Sequence, residues 1–127
     1  MSGRRYEGFV PGRHVIDSYG AGGFRFADMS HRGSILALPS GVLAWAPATM
    51  ADLTAEAFAP VVAEAGSIDV LLIGTGREVA VLPEALRWYL KGAGLRVDAM
   101  QTGAAARTYS IMLAENRRVA AALLAVD

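Results

Sequence analysis

The chain contains no cysteine, one lysine and two histidines among its 127 residues. Without cysteine there is no disulfide, no thiolate metal site, no iron–sulfur ligation and no cysteine nucleophile. With only His14 and His31, a three-histidine metal site is excluded. No carboxylate spacing beside either one predicts another metal site, so no metal is expected. The single lysine, Lys91, and a balance of twelve basic against twelve acidic residues leave no basic stripe interleaved with aromatics, which argues against nucleic acid as a partner. Long apolar runs are also missing. The longest, Val119 to Val126, falls far short of the ~20 residues of a spanning helix, so no direct membrane insertion is expected. Arg4, Arg5 and Arg13 are not followed by an apolar stretch of roughly 7–15 residues, and no acid-free, serine-rich leader is present. The expected location is the cytoplasm of a bacterium, and a processed mitochondrial protein would show the same features.

What is present is a well-filled apolar chain. Hydrophobic residues make up 54% and charged residues 19%, too apolar a balance for disorder. The length suits one domain over residues 1–127, with residues 1–13 expected to be loosely ordered. A chain of this size buries roughly two thirds of its unfolded surface, enough for a core without staples.

Glycine and proline cut the chain into short elements. His14 to Tyr19 and Phe24-Arg25-Phe26 alternate as half-buried strands do, with Gly20-Ala21-Gly22-Gly23 between them. Ser34 to Leu38 and Val42 to Trp45, joined by Pro39-Ser40-Gly41, read as a hairpin. Thr54 is placed as the N-cap of a helix to about Ala65, with Pro60 awkward inside it. Asp69 to Ile73 is a continuous apolar run ending in Gly74-Thr75-Gly76, as in a strand buried on both faces. Pro83 opens a helix to Lys91, Arg96 to Met100 is the next strand, and Ala104 to Glu115 the next helix. Val119 to Val126 allows strand or helix; its length and terminal position favour strand. The order is a β-meander followed by alternating helices and strands, with a parallel pair expected between Val70 and Met100.

Several stretches together resemble a known family. They are Ser18-Tyr19-Gly20 through Phe26, His31-Arg32-Gly33-Ser34-Ile35-Leu36, Leu71-Leu72-Ile73-Gly74-Thr75-Gly76, Met100-Gln101-Thr102, Ala105-Ala106-Arg107-Thr108-Tyr109 and Leu113 to Val119. From about residue 14 to the end, the chain resembles the Mth938-like domain family. That family includes a respiratory complex I assembly factor and an adipogenesis-associated protein. The resemblance implies an α/β fold of three α/β/α layers around a mixed sheet whose last strand is antiparallel. It implies no reaction, and it carries over no catalytic residue.

Each candidate site has a structural alternative. Gly74, Thr75 and Gly76 end a buried strand where open α/β folds often bind ligands, and Arg77 adds charge. The Lys-Ser/Thr pair of a phosphate loop and the third glycine of a dinucleotide fingerprint are both missing. No helix starts at that loop, so a tight structural turn is the alternative. Arg25, Arg32 and Arg107 would form an anion pocket if they converged, or else tie helix to hairpin through carboxylates. His31, beside Arg32 and near Asp28 in an expected loop, is either an acid–base pair member or a loop fastener. Trp45, Trp88 and Tyr89 read as core or rim packing rather than a stacking platform. Gly33-Ser34 and Pro39-Ser40-Gly41 lack the nucleophile elbow of a serine hydrolase.

No catalytic constellation and no cofactor motif stand out. The expected function is therefore a non-enzymatic protein-interaction or assembly domain with a protein partner; that the complex served is respiratory or membrane-bound comes only from the resemblance. The rival is a small-molecule or anion-binding protein or enzyme, using Gly74–Arg77 with the three arginines. Self-association through an edge of the amino-terminal hairpin is left open.

Overall fold

A computed structural model describes residues 8–127. The strands of a central six-stranded mixed sheet are β1 (Phe9–Pro11), β5 (Ser34–Leu38), β6 (Gly41–Trp45), β7 (Val70–Gly74), β8 (Arg96–Met100) and β9 (Val119–Leu123). They lie side by side in the order β1-β6-β5-β9-β7-β8. A smaller antiparallel sheet joins β2 (Ser18–Gly20), β3 (Gly23–Phe26) and β4 (Met29–Arg32). The helices are α1 (Ala59–Ala63), α2 (Glu84–Gly92) and α3 (Thr102–Ala114).

The sheet is mixed because two kinds of connection feed it. β5 and β6 form the expected hairpin, antiparallel from Ser34↔Trp45 to Leu38↔Gly41. β7 and β8 are parallel, joined through α2. The terminal strand β9 knits the halves together, antiparallel to β5 and parallel to β7. It sits in the middle of the sheet with all five residues buried, which explains its unbroken Val-Ala-Ala-Ala-Leu run. The hairpin has no free edge, because β1 and β9 flank it.

The sheet divides the core in two. On one face Leu36, Leu38, Leu71 and Ile73 meet Phe58 and Val61 near α1, and Leu86 and Leu90 of α2. On the other, Ile35, Ala37, Leu72 and Ala121 meet Ala105, Ala106 and Tyr109 of α3, with Phe24 and Phe26 of the small sheet. Helices thus cover both faces, and the small sheet extends the α3 layer.

Four expectations change. Residues 9–11, placed in the loosely ordered start, pair with β6; that expectation for residues 1–7 lies outside the described residues. The strand expected over His14 to Tyr19 forms only at Ser18–Gly20. The helix from Thr54 is broken into a 3-10 turn at Glu56–Phe58, the short α1 and a second turn at Ala65–Ser67. Pro60 stands in the first turn of α1, where its missing N–H costs nothing. Thr54 still accepts the Ala57 amide, at 3.4 Å. Finally, His31 lies on β4 and not in a loop. Ala27 and Asp28, at φ 51° and 60°, form the two-residue turn that returns the chain after Phe26 to pair Phe24 with His31.

Candidate functional site

The loop after β7 is tightly bonded. The Thr75 amide donates to the Met100 carbonyl at 2.9 Å, and its hydroxyl donates to the Glu78 carbonyl at 2.6 Å. The Gly76 amide donates to Thr102 Oγ1 at 3.0 Å, and the Gly76 carbonyl accepts from the Thr102 amide at 2.8 Å. Gly74 is enclosed: a Cβ there would stand 2.9 Å from Thr102 Oγ1 and 3.0 Å from the Leu123 side chain. The Thr75 and Gly76 N–H groups are therefore spent on strand and helix ends. Arg77 is exposed beyond them.

The arginines divide. Arg25 and Arg32 lie on the outer face of the small sheet, since Arg25 pairs with Ser30, and Arg32 with Gly23, two places along the same strand. Arg25 Nη1 donates to Ser30 Oγ at 2.7 Å. Together with Ser18, Gly20 and Ser30 they line a shallow cavity of about 630 Å³. Arg107 lines neither that cavity nor the groove described below; it is exposed on α3 one turn beyond Gly103. The structure thus pairs two of the three arginines and leaves Gly74–Arg77 outside their cavity.

His31 is buried against Phe26, ring centroids 6.5 Å apart, and its Nε2 lies 3.2 Å from the Ser34 carbonyl. That contact fastens β4 to the start of β5. Asp28 stays at the hairpin tip. Among the described residues no three His, Asp or Glu side chains gather as a metal site, and no helix is long and apolar enough to cross a membrane.

A larger feature escaped the sequence reading. Val79, Val81 and Trp88, 67%, 85% and 64% exposed, border a groove of about 820 Å³ between the segment before α2, α2 itself and β8. Helix α2 grips the core by a narrow stripe, Leu86 and Leu90, which turns Trp88 outward. Of the two tryptophans expected in core or rim packing, Trp45 is core, its indole donating to the Ala57 carbonyl at 2.8 Å, and Trp88 lies at the groove's rim. The available signal was the apolar run Val79-Ala80-Val81-Leu82 in a segment with no regular structure.

Comparison with known proteins agrees with this architecture. Residues 16–124 match the family model described as a protein of unknown function (DUF498/DUF598). An uncharacterised protein of Rhodobacter capsulatus is 42% identical over 120 residues, covering 94% of this chain and 90% of that protein. The NADH dehydrogenase [ubiquinone] 1 alpha subcomplex assembly factor 3 of Danio rerio is 30% identical over 110 residues. That match covers 87% of this chain and 63% of the longer assembly factor. Among solved structures, a Bartonella henselae protein described as an outer membrane protein superposes with a TM-score of 0.89 at 52% identity, covering 92% of this chain and 98% of that one. A Mth938-like domain of Bordetella pertussis does so at 0.72 and 31%, covering 87% and 85%. The chain belongs to the DUF498/DUF598 family of Mth938-like domains.

Proposed function

We propose that this chain is a non-enzymatic interaction domain that helps a respiratory or other membrane complex to assemble, working from the cytoplasm. The observation that carries this reading is the exposed apolar groove formed by Val79, Val81 and Trp88. Large apolar side chains gathered at one exposed place mark surfaces that take up a protein partner or another apolar ligand. The naming of the Danio rerio relative as a complex I assembly factor supports the choice of complex. The test is deletion of the gene in its own organism, followed by native-gel quantification of assembled NADH dehydrogenase. A loss of assembled complex with its subunits still synthesised is expected; unchanged levels of this and of the other membrane complexes resolved on the same gels overturn the reading.

A second reading is a small-molecule or anion-binding protein. It is favoured by the cavity that Arg25 and Arg32 share. Native mass spectrometry of the gently purified protein distinguishes it: a stoichiometric metabolite, lost on Arg32→Ala, is its signature.

A further inference from the structure

Strand β8 closes one end of the central sheet, bonded only to β7. The Met100 carbonyl accepts from the Thr75 amide, so the Met100 peptide groups face inward along the sheet. Strand alternation then turns the N–H and C=O groups of Val97 and Ala99 outward. Among the described residues, no backbone bond from another segment reaches that edge. The opposite edge of the sheet ends in Pro11, which has no amide to offer. Val97 and Ala99 have no such guard, and free edges of this kind are templates for pairing.

The same two residues contribute side chains to the apolar groove, packing toward α2 beside Leu82 and Leu95. An incoming strand would therefore find backbone partners and an apolar trough together. The charges of the groove have one sign in excess: Arg87, Lys91 and Arg96 against Glu84. None of the three cations is in an ion pair among the described residues, and Lys91 Nζ lies 5.2 Å from the centroid of the Trp88 ring.

Resting on the assembly reading, we infer that β8 and its groove take up an extended segment of a partner polypeptide, apolar at alternate positions and bearing carboxylates. The segment adds as a seventh strand to the sheet. Backbone bonds to Val97 and Ala99 give register, and the trough selects the apolar side chains. The cations select acidic residues and speed encounter. A second copy of this chain fits less well, because it would set Arg87, Lys91 and Arg96 against their own counterparts.

The test pans a phage-displayed library of random dodecapeptides on the immobilised full chain, then measures an enriched synthetic peptide against the 15N-labelled protein. The expected peptides alternate apolar residues with Asp or Glu. Binding slows exchange of the Val97 and Ala99 amides about tenfold or more. Arg87→Glu with Lys91→Glu, at exposed positions, weakens binding about tenfold at low salt. No enrichment, peptides without carboxylates, binding that leaves the β8 amides unprotected, or a β8-paired dimer in sedimentation would each overturn the inference. A deletion strain separates the two proposals. If assembly fails on deletion and the Arg87→Glu, Lys91→Glu variant restores it, the docking site is wrong and the assembly role stands. If deletion changes no complex while the peptides bind as expected, the assembly role is wrong.

Discussion

Thr102 accepts a hydrogen bond from the Gly76 amide at 3.0 Å and donates its own hydroxyl to the Leu124 carbonyl at 2.7 Å. One fully buried hydroxyl thereby joins the loop after β7, the start of α3 and the end of β9. Thr102→Val keeps the shape and leaves two backbone groups unpaired. A loss of about 1–3 kcal/mol in unfolding free energy is expected from urea titration, with the slope unchanged. Stability equal to wild type would show that these bonds are replaced by water.

The Tyr19 hydroxyl lies where a Cβ on residue 103 would stand, against the first turn of α3. Glycine at position 103 is therefore a fit to a neighbouring ring. On its own, Gly103→Ala in a helix gains up to about 1 kcal/mol. With Tyr19 present the ring must move, and that gain is reduced or reversed. A double-mutant cycle with Tyr19→Ala is expected to return a coupling of about 0.5–1.5 kcal/mol, and additivity would refute the contact.

Phe58 is fully buried beneath Trp45, with ring centroids 5.3 Å apart and planes at 73°. It anchors the broken helical segment to the sheet. Phe58→Ala is expected to cost about 3–5 kcal/mol in chemical denaturation, since it empties a large, fully buried ring site beside Val61.

Burial raises the Tyr109 phenol to about 12 from its ordinary 10.0, with Arg13 opposing the shift. The folded state thus holds its proton when the unfolded state has released it. The contribution is fully present below pH 10 and is lost as pH rises toward about 12. At its steepest the loss is about 1.4 kcal/mol per pH unit. Phenolate absorbance should show one tyrosine titrating late, and Tyr109→Phe should flatten the alkaline fall in stability.

Strands β5, β7 and β9 were legible because their burial is written in the residues themselves. Val70 to Ile73 and Val119 to Leu123 are apolar without break because helix or sheet covers both faces. Met29-Ser30-His31-Arg32 carries no such pattern; it is a strand because the turn at Ala27 and Asp28 folds it onto β3. The helix expected from Thr54 failed at Pro60, which starts a short helix where a long one was expected. The candidate site was less legible for a similar reason. Arg25 and Arg32 come together through strand register, and the groove brings Val81, Trp88 and Val97 together from three elements far apart in local pattern. Spacing along a chain does not report that meeting.

If the domain serves assembly through its groove, the cell needs the groove's exposed side chains. The direct measurement is native-gel quantification of assembled NADH dehydrogenase in a deletion strain carrying either the wild-type gene or Trp88→Ala with Val81→Asp, two exposed changes that leave the core untouched. The wild-type gene is expected to restore the complex, and the folded variant, expressed at the same level, is expected not to. Full restoration by the variant would remove the groove from assembly, and a deletion strain with normal complex would remove the domain from it.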